Sequence, residues 1–337
     1  MLTKCHCVRD GWMTRFGSVG FMSRRNGWTT LVLLAWFLGL SALFQPSVAA
    51  DNVLRVGYQK YGTFLILKSR GLLEQKLKPF GFAVVWSEFP GGPQLLEALN
   101  VGALDFGITG EAPPIFAQAA RAPLVYVGNE PAAPLGEAIL VPRDSSIHSV
   151  TELKGKKVAL NKGSNVHYLL IKALEAAGLK YSDVQPVFLA PADARAAFEQ
   201  GAVDAWAIWD PYQASAEVAI QARTLVNGTG IVANRQFYLG EKSFVNKNPA
   251  VIEAILDSLR EIDAWAKTDV DQVAKDLSPA VGIPVPVLKL ALGRQSWEAK
   301  PITPEVIADQ QKIADAFLGL GLIPKPITVS DALAVKP

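Results

Sequence analysis

Loops that follow predicted strands carry the residues of this 337-residue chain that could bind a small molecule. In an open parallel sheet, ligands bind beyond the carboxyl ends of the strands, where loops lead into the first turns of helices. A helix N-terminus offers unpaired N–H donors and about half a positive charge, which can hold an anion without a Lys or Arg side chain. The candidate loops span residues 59–63, 89–93, 109–113, 163–165 and 209–211.

Two of these loops are the strongest candidate anion sites. Gly62-Thr63 and Gly163-Ser164-Asn165 both precede predicted helices, and their small residues let backbone N–H groups approach a ligand closely. Either segment alone is equally typical of an ordinary helix cap. Their occurrence in two matching halves of the chain favours a shared binding site.

Aromatic and titratable residues also lie at these strand ends. Trp209 ends a predicted strand, where its indole can cover an alkyl chain. Glu111 and Asp210 occupy equivalent loop ends, where they could recognise an amine or hydroxyl group, bridge a closed cleft, or simply be solvated. As paired catalytic carboxylates they are weak candidates, because nothing in the sequence sets their separation. His167, in the first turn of a helix, could donate a hydrogen bond to an oxyanion or serve only in packing.

The composition excludes several classes of chemistry. No cysteine occurs beyond residue 50, so we expect neither disulfides nor thiol chemistry there. Cys5-His6-Cys7 is a poor metal site, because adjacent residues rarely surround one ion and no second pair of ligands follows. No metalloprotease, Walker, dinucleotide-binding or nucleophile-elbow motif occurs at a suitable place. The sequence therefore predicts no metal, no cofactor and no catalytic residue.

Residues 1–50 are predicted to be a cleaved secretory signal peptide. Arg24 and Arg25 precede an apolar run from Leu31, and small residues at Ala49 and Ala50 mark the expected cleavage site. The apolar run of about 14 residues is too short to span ~30 Å of hydrocarbon. We therefore expect export to the periplasm, with the choice between the general and the twin-arginine route left open.

The charge balance of the remaining chain is nearly neutral. The leader holds five of the 33 basic residues and one of the 31 acidic residues, so its removal leaves a net charge near −2. This balance indicates neither a nucleic-acid-binding patch nor a membrane-surface patch.

Short apolar strands alternate with amphipathic helices after the leader, which predicts an α/β fold with parallel strands. The segment Gly102-Ala103-Leu104-Asp105 matches Gly201-Ala202-Val203-Asp204, and an acidic residue follows six residues after each Asp. This repeat predicts two lobes of related topology. The strands are expected at residues 53–58, 82–86, 105–108, 157–160, 187–189 and up to 208.

The second repeat of alternating strands and helices ends near Arg235, and long helices follow it. The helix that begins at Asn248-Pro249 has apolar residues at the three- and four-residue spacing of one buried face. Because helices that arrive after both lobes usually pack on the first one, we expect a discontinuous first lobe. The predicted domains are residues 1–50 (leader), 51–138 with 238–337 (first lobe), and 139–237 (second lobe).

Five segments carry a resemblance to a known family: Gly57-Tyr58-Gln59-Lys60, residues 86–100, residues 105–114, Lys162-Gly163-Ser164-Asn165, and Ala207-Ile208-Trp209-Asp210-Pro211. In these segments the chain resembles the periplasmic aliphatic sulfonate-binding proteins, within the larger taurine- and nitrate-binding group. The resemblance covers the chain beyond the leader.

The resemblance implies a type II periplasmic-binding-protein fold, with two lobes of parallel-rich sheets flanked by helices and the ligand in the cleft between them. It also implies a monomeric solute-binding component of an ABC importer, which closes around an alkanesulfonate and docks to a permease with an ATPase for sulfur uptake. Together with Thr63, the residues expected around the ligand are Gln59, Thr109, Gly110, Glu111, Ser164, Asn165, His167, Trp209 and Asp210.

Other functions remain open on this reading. Taurine, nitrate or another small anion could be the ligand, because pocket volume cannot be read from loops. An enzyme on the same fold, such as the related pyrimidine-precursor or dehydratase enzymes, is a further alternative. The absence of cysteine beyond the leader and the small number of histidines count against it.

Overall fold

The computed structural model describes residues 52–60 and 62–334. The predicted signal peptide lies outside these residues. Among the helices of the described chain, none is both long and apolar enough to cross a membrane.

The first sheet confirms the predicted alternation of strands and helices. Its strands follow the order β2-β1-β3-β10-β4, and β1 pairs in parallel with both β2 and β3. Strand β10 is antiparallel to both of its neighbours. The strands are β1 (Asn52–Tyr58), β2 (Phe82–Glu88), β3 (Phe106–Gly110), β4 (Leu124–Asn129) and β10 (Gln236–Glu241).

The second sheet repeats this plan. Its order is β7-β6-β8-β5-β9, in which β6 pairs in parallel with β7 and β8, and β5 is antiparallel to β8 and β9. The expected sheets were parallel, and each contains one antiparallel strand instead. In each sheet the antiparallel strand, β5 or β10, is the first strand that the chain forms after it leaves the other sheet. No helical crossover within the sheet therefore sets the direction of that strand. The strands are β5 (Glu137–Val141), β6 (Lys157–Leu160), β7 (Gln185–Phe188), β8 (Ala205–Trp209) and β9 (Arg223–Asn227).

The chain passes between the sheets twice, through residues 130–136 and 228–235. We call residues 52–129 and 236–334 the first lobe, residues 137–227 the second lobe, and the two connecting segments the crossings. The boundaries predicted from the sequence, at residues 138 and 238, lie within β5 and β10. The division into independent domains stays a prediction.

The helices cover the faces of both sheets. The helix predicted after Gly62-Thr63 was expected to run unbroken towards Leu77, but it is two helices, because Gly71 adopts a left-handed conformation between them. The helix that begins at Pro249 buries the predicted apolar face against the helices that follow β1. The helices are α1 (Thr63–Arg70), α2 (Leu72–Leu77), α3 (Gly92–Asn100), α4 (Pro113–Ala119), α5 (Asn165–Ala176), α6 (Pro191–Glu199), α7 (Tyr212–Ala219), α8 (Lys242–Lys247), α9 (Pro249–Thr268), α10 (Val270–Val281), α11 (Val285–Leu292) and α12 (Pro304–Gly319).

The repeated sequence motif has the same structural role in both lobes. The backbone N–H of Arg55 in β1 donates to the carboxylate of Asp105 at 2.8 Å, and the backbone N–H of Lys157 in β6 donates to Asp204 at the same distance. Each Asp thereby ties the turn before the third strand to the start of the first strand. The sequence motif occurs in both lobes because the same hydrogen bond, from a backbone N–H to an Asp carboxylate, joins the first and third strands of the repeat in each sheet.

A buried cluster of two carboxyl groups joins α1 to the first crossing and to α9. The Thr63 hydroxyl lies 2.9 Å from oxygens of both Glu130 and Asp263, and the Tyr238 hydroxyl donates to Glu130 at 2.8 Å. A hydroxyl group carries one proton, so Thr63 can donate to only one of the two carboxyl groups. Burial and mutual repulsion raise the pKa of Glu130, and burial raises the pKa of Asp263, so protonated forms are favoured in the folded state.

We expect this cluster to make the folded state less stable as the pH rises. A raised folded-state pKa contributes stability that is fully present below the unfolded pKa, about 4 for a carboxyl group, and is lost as the pH rises through the folded pKa. Each proton bound only in the folded state adds a slope of about 1.4 kcal/mol per pH unit. Glu130→Gln should therefore reduce the fall in the free energy of unfolding above about pH 5, measured by urea denaturation.

The exposed Glu97 of α3 provides the control for this prediction. Glu97→Gln removes the same charge from the surface and should leave the pH dependence of the wild type unchanged. Equal slopes for wild type and Glu130→Gln would contradict the assignment of the bound proton to the cluster.

Candidate functional site

A cavity lies at the carboxyl ends of the strands of both sheets. Gln59 and Gly110 reach it from the first lobe, and Ser164, Asn165 and Trp209 reach it from the second. These five residues were predicted from the sequence to surround a ligand, and the structure brings them to one cavity. The described residues that line it are Gln59, Gly92, Gly110, Pro113, Ser164, Asn165, Trp209, Asn234 and Gln236.

Four lining residues were not among the predicted site residues. Gly92 and Pro113 lie in loops that the sequence indicated, at the starts of α3 and α4. Asn234 belongs to the second crossing, and Gln236 begins β10 directly after it. Their place at the cavity depends on where the crossing runs in three dimensions, for which the local sequence carries no signal.

Two helix N-termini, one from each lobe, open onto the cavity. Gly91 precedes α3 and Ser164 precedes α5, and neither helix has a hydrogen bond from a capping side chain. The first-turn backbone N–H groups that remain for a ligand are those of Gly92 and Gln94 in α3 and those of Asn165 and Val166 in α5, because Pro93 has no N–H and His167 donates to the carbonyl of Ser164 at 3.0 Å. Each helix contributes about half a positive charge. At α4, by contrast, Pro113 and Pro114 have no N–H group to offer.

Asn165 connects the two lobes beside the cavity. Its Oδ1 accepts from the backbone N–H of Ala112 at 3.1 Å, and its Nδ2 donates to Oδ1 of Asn234 at 2.7 Å. A Cβ at Gly110 would lie 2.2 Å from this amide, so only glycine allows the approach. Closure of the lobes at this point therefore depends on both Gly110 and Asn165.

Five predicted site residues have hydrogen-bond partners within the protein and do not line the cavity: Thr63, Thr109, Glu111, His167 and Asp210. The Thr63 hydroxyl belongs to the carboxyl cluster of the first lobe. The Thr109 hydroxyl is fully buried and donates to the carbonyl of Gly110 at 3.0 Å. His167 is also fully buried. The Thr109 hydroxyl is therefore not available to donate to a ligand in this geometry.

His167 stabilises the loop of residues 163–165, on the side away from the cavity. Its Nδ1 accepts from the backbone N–H of Gly163 at 3.2 Å, and its Nε2 lies 2.8 Å from the Tyr181 hydroxyl. Burial, with the nearby positive charge of Lys162, lowers the pKa of His167 to about 4. The imidazole is therefore neutral at pH 7, and it holds the turn before α5 rather than a ligand.

The Ser164 hydroxyl is likewise engaged within the protein. Ser164 lines the cavity, but its hydroxyl donates to the carbonyl of Asn161 at 2.7 Å. What this residue presents to a ligand is therefore its backbone and its hydroxyl oxygen, rather than a free hydroxyl donor.

Glu111 fixes the second crossing rather than a ligand. It is buried, and its carboxylate accepts from the backbone N–H groups of Asn234 at 3.1 Å and Arg235 at 3.0 Å. Burial raises the pKa of Glu111 to about 7, although both hydrogen bonds oppose this shift. The interpretation as a solvated loop acid is wrong, because the carboxylate is enclosed and paired.

Asp210 lies at a contact between the lobes. It accepts from the backbone N–H of Ala214 in α7 at 3.0 Å and lies 3.4 Å from Nη1 of Arg294, which comes from the first lobe. Arg294 also binds Glu217 of the second lobe at 2.5 Å. Burial raises the pKa of Asp210 to about 6, and Arg294 opposes this shift. Of the three roles considered for this acid, the contacts match the one that bridges the cleft.

No charged side chain lines the cavity in the described part of the chain. Arg235 lies between two lining residues, but its guanidinium points towards Asp309, with Nη2 4.0 Å from the carboxylate. Glu137 is fully buried opposite Trp209 in the strand pair β5–β8, and burial with the nearby Glu111 raises its pKa well above the ordinary range. The cavity is therefore neutral, with hydrogen-bond donors from backbone and side-chain amides.

We expect Gly110→Ala to destabilise the closed arrangement. The new methyl group would displace Asn165 and break its hydrogen bonds to Ala112 of the first lobe and to Asn234 of the second crossing. Overpacking of this kind costs about 1–3 kcal/mol, which urea denaturation can measure as a lower free energy of unfolding. Gly319→Ala in α12 is the control, because a Cβ there meets nothing within 4 Å. Similar free energies for both variants would contradict the role of Gly110.

Comparison with known proteins agrees with the family resemblance in the sequence. The family model "NMT1/THI5 like" matches residues 81–269. The "Putative aliphatic sulfonates-binding protein" of Escherichia coli K12 is 46% identical over 88% of this chain and 93% of its own length. The Bacillus subtilis 168 protein of the same name is 33% identical over 83% of this chain and 85% of its own length.

Solved structures show the same fold. The alkanesulfonate-binding protein SsuA from Xanthomonas axonopodis pv. citri, bound to MOPS, is 41% identical and superimposes with a TM-score of 0.81, over 84% of this chain and 98% of that one. The predicted periplasmic-binding-protein fold and the family resemblance are both confirmed. The chain belongs to the NMT1/THI5-like family and, within it, to the aliphatic sulfonate-binding proteins.

Proposed function

We propose that this protein is the extracytoplasmic solute-binding component of an ABC importer and that it binds an aliphatic sulfonate between its two lobes for sulfur uptake. The observation that carries this proposal is a neutral cavity shared by both lobes, with an open helix N-terminus from each. Its relatives with high identity are binding proteins by name.

The sulfonate headgroup would be held mainly by the backbone. Its oxygens would accept hydrogen bonds from the first-turn N–H groups of α3 and α5, supported by the side-chain amide of Gln236. Gln59 could add only one N–H, because its Nε2 also donates to the carbonyl of Ile108 at 3.2 Å. Charge-assisted hydrogen bonds of this kind contribute about 1.5–3 kcal/mol each, and exclusion of water strengthens them. The arrangement needs no cation, in agreement with the lining of the cavity.

Trp209 would cover the alkyl chain of the ligand. It ends β8, lines the cavity, and packs edge-on against Tyr212, with the ring centroids 6.2 Å apart. The indole offers a large apolar face in a fixed orientation, which suits a methylene chain. Pro113, on the opposite lobe, adds a second apolar surface to the same cavity.

Ligand capture would proceed by closure of the lobes about the two crossings. Contacts that span the lobes in this closed arrangement include Arg294 with Asp210 and Glu217, and Ala214 of α7 with Val287 of α11. Rotation about a few connecting residues would separate these groups and open the cavity. We place the hinge in residues 130–136 and 228–235.

The remaining parts of the proposal concern location and partners. We propose that residues 1–50 direct export to the periplasm, and that the closed, monomeric protein docks to a membrane permease coupled to an ATPase. We also propose that the ligand is released unchanged, so the protein is not an enzyme. The absence of any cysteine in residues 52–60 and 62–334 supports this view, as does the lack of a charged residue in the cavity lining.

Thermal-shift measurements on the protein without its leader test this function. Ligands that bind only the folded state raise the melting temperature. Alkanesulfonates should produce the largest shifts in a panel that also contains taurine, nitrate and inorganic sulfate. Absence of a shift with every alkanesulfonate would count decisively against the proposal, whereas a larger shift with taurine or nitrate would change the ligand but keep the binding function.

We expect Trp209→Ala to weaken binding in proportion to the alkyl chain of the ligand. Loss of the indole removes apolar contact worth about 0.8 kcal/mol for each buried methylene group. Calorimetry should show a small loss of affinity for methanesulfonate and a progressively larger loss for longer alkanesulfonates. Phe80→Ala removes an exposed ring outside the cavity and serves as the control. Equal losses for short and long ligands would eliminate the proposed role of Trp209.

A further inference from the structure

We infer that the cavity selects ligands by charge, accepting one negative charge on a tetrahedral headgroup and rejecting two. This inference rests on the proposed function and deepens it, because it adds a rule by which sulfonates are separated from anions of the same shape. The rule follows from what surrounds the cavity: two helix N-termini, neutral amides, and buried acidic residues close behind them.

The positive charge available to a ligand is limited to about one unit. Helices α3 and α5 each contribute about half an elementary charge at their N-termini, and together they match a single anionic headgroup. Gln59, Asn234 and Gln236 add dipoles but no net charge. A doubly charged headgroup would therefore leave about one negative charge buried without a counter-ion, which is strongly unfavourable in a closed cavity.

The basic residues near the cavity do not line it. Lys60 follows Gln59 but lies 3.6 Å from the carboxylate of Glu88, and Lys162 lies above the ring of Phe188 at 5.4 Å. Arg294 is paired with Asp210 and Glu217. Nη2 of Arg235 lies 4.0 Å from the carboxylate of Asp309, and the buried Nε of Arg235 has no hydrogen-bond partner among the described residues. None of these four side chains lines the cavity.

Acidic residues add a barrier against a second negative charge. Glu111 directly follows Gly110, Asp210 directly follows Trp209, and Glu137 pairs with Trp209 across β5 and β8. All three carboxyl groups are buried. The raised pKa of Glu137 keeps that group neutral and Asp210 is paired with Arg294, so the repulsion comes from the ionised fraction of Glu111, whose pKa is about 7, and it grows with the charge of the ligand.

A comparison of alkanesulfonates with alkylphosphonates distinguishes selection by charge from selection by shape. Both have a tetrahedral headgroup on a carbon chain, but the sulfonate carries one negative charge throughout the accessible pH range. The phosphonate carries one charge below its second pKa and two above it. A site that selects by charge should bind the phosphonate only in its singly charged form, so the apparent affinity should follow the fraction of that form.

The test is calorimetric titration of the protein without its leader, using pentanesulfonate and pentylphosphonate from about pH 5.5 to about pH 9. The charge of the sulfonate does not change over this pH range. Any change in its affinity with pH therefore reports titration of the protein itself, including Glu111 and Asp210. We expect the affinity for the phosphonate, relative to the sulfonate, to fall about tenfold for each pH unit above the second pKa of the phosphonate.

A variant with a cation in the cavity provides a second measurement. Gln236→Lys replaces a neutral lining residue, and it should abolish most of the relative loss of phosphonate affinity at high pH. Gln200→Lys adds the same charge at the exposed end of α6 and should retain the loss in full. If Gln236→Lys does not fold, the wild-type titrations alone decide.

The outcomes separate this inference from the proposed function. If the sulfonate binds and the phosphonate binds with the same relative affinity at all pH values, charge selection is wrong and the proposed function stands. The same conclusion follows if the phosphonate fails to bind even as a singly charged anion. If the sulfonate does not bind at any pH, the proposed function fails, and the inference fails with it.

Discussion

The open N-termini of α3 and α5 are the feature on which the rest of this site depends. A helix start without a side-chain cap leaves N–H groups without partners, which is unfavourable in a buried position unless something else accepts from them. Here both helix starts face one cavity. The fold therefore brings together two incomplete helix ends that a small anion can complete, and binding becomes coupled to the approach of the lobes.

The polar residues behind the cavity keep these helix starts in place. His167 accepts from the backbone of Gly163, and the Ser164 hydroxyl donates to Asn161, so the turn before α5 is tied down at two points. Glu111 does the same for the second crossing through two backbone N–H groups. Side chains that sequence reasoning assigned to the ligand thus act on the backbone, and the backbone is what remains free for the ligand.

The fold was largely predictable from the sequence because its signals are local. Strand alternation and the repeated Gly-Ala-x-Asp segment indicate related lobes, and Asp105 and Asp204 make the same backbone contact in each. The antiparallel strands β5 and β10 escaped prediction, since a strand that enters from another sheet has no crossover helix to mark its direction. The break in the first helix at Gly71 was likewise missed, because a glycine within an apolar pattern reads equally as a tolerated helix residue.

The site was predictable only in part, for a related physical reason. Position after a strand identified Gln59, Gly110 and Trp209 as cavity residues, because strand ends fix where their loops lie. It did not reveal that Thr109 and Asp210 turn to partners inside the protein, since any hydroxyl or carboxylate satisfies the same sequence pattern whether it faces a ligand or a backbone group. Asp210 is instructive here: its partner Arg294 is 84 residues away in sequence. Their contact exists only when the lobes are together, so the ion pair belongs to the closed state and not to either lobe alone.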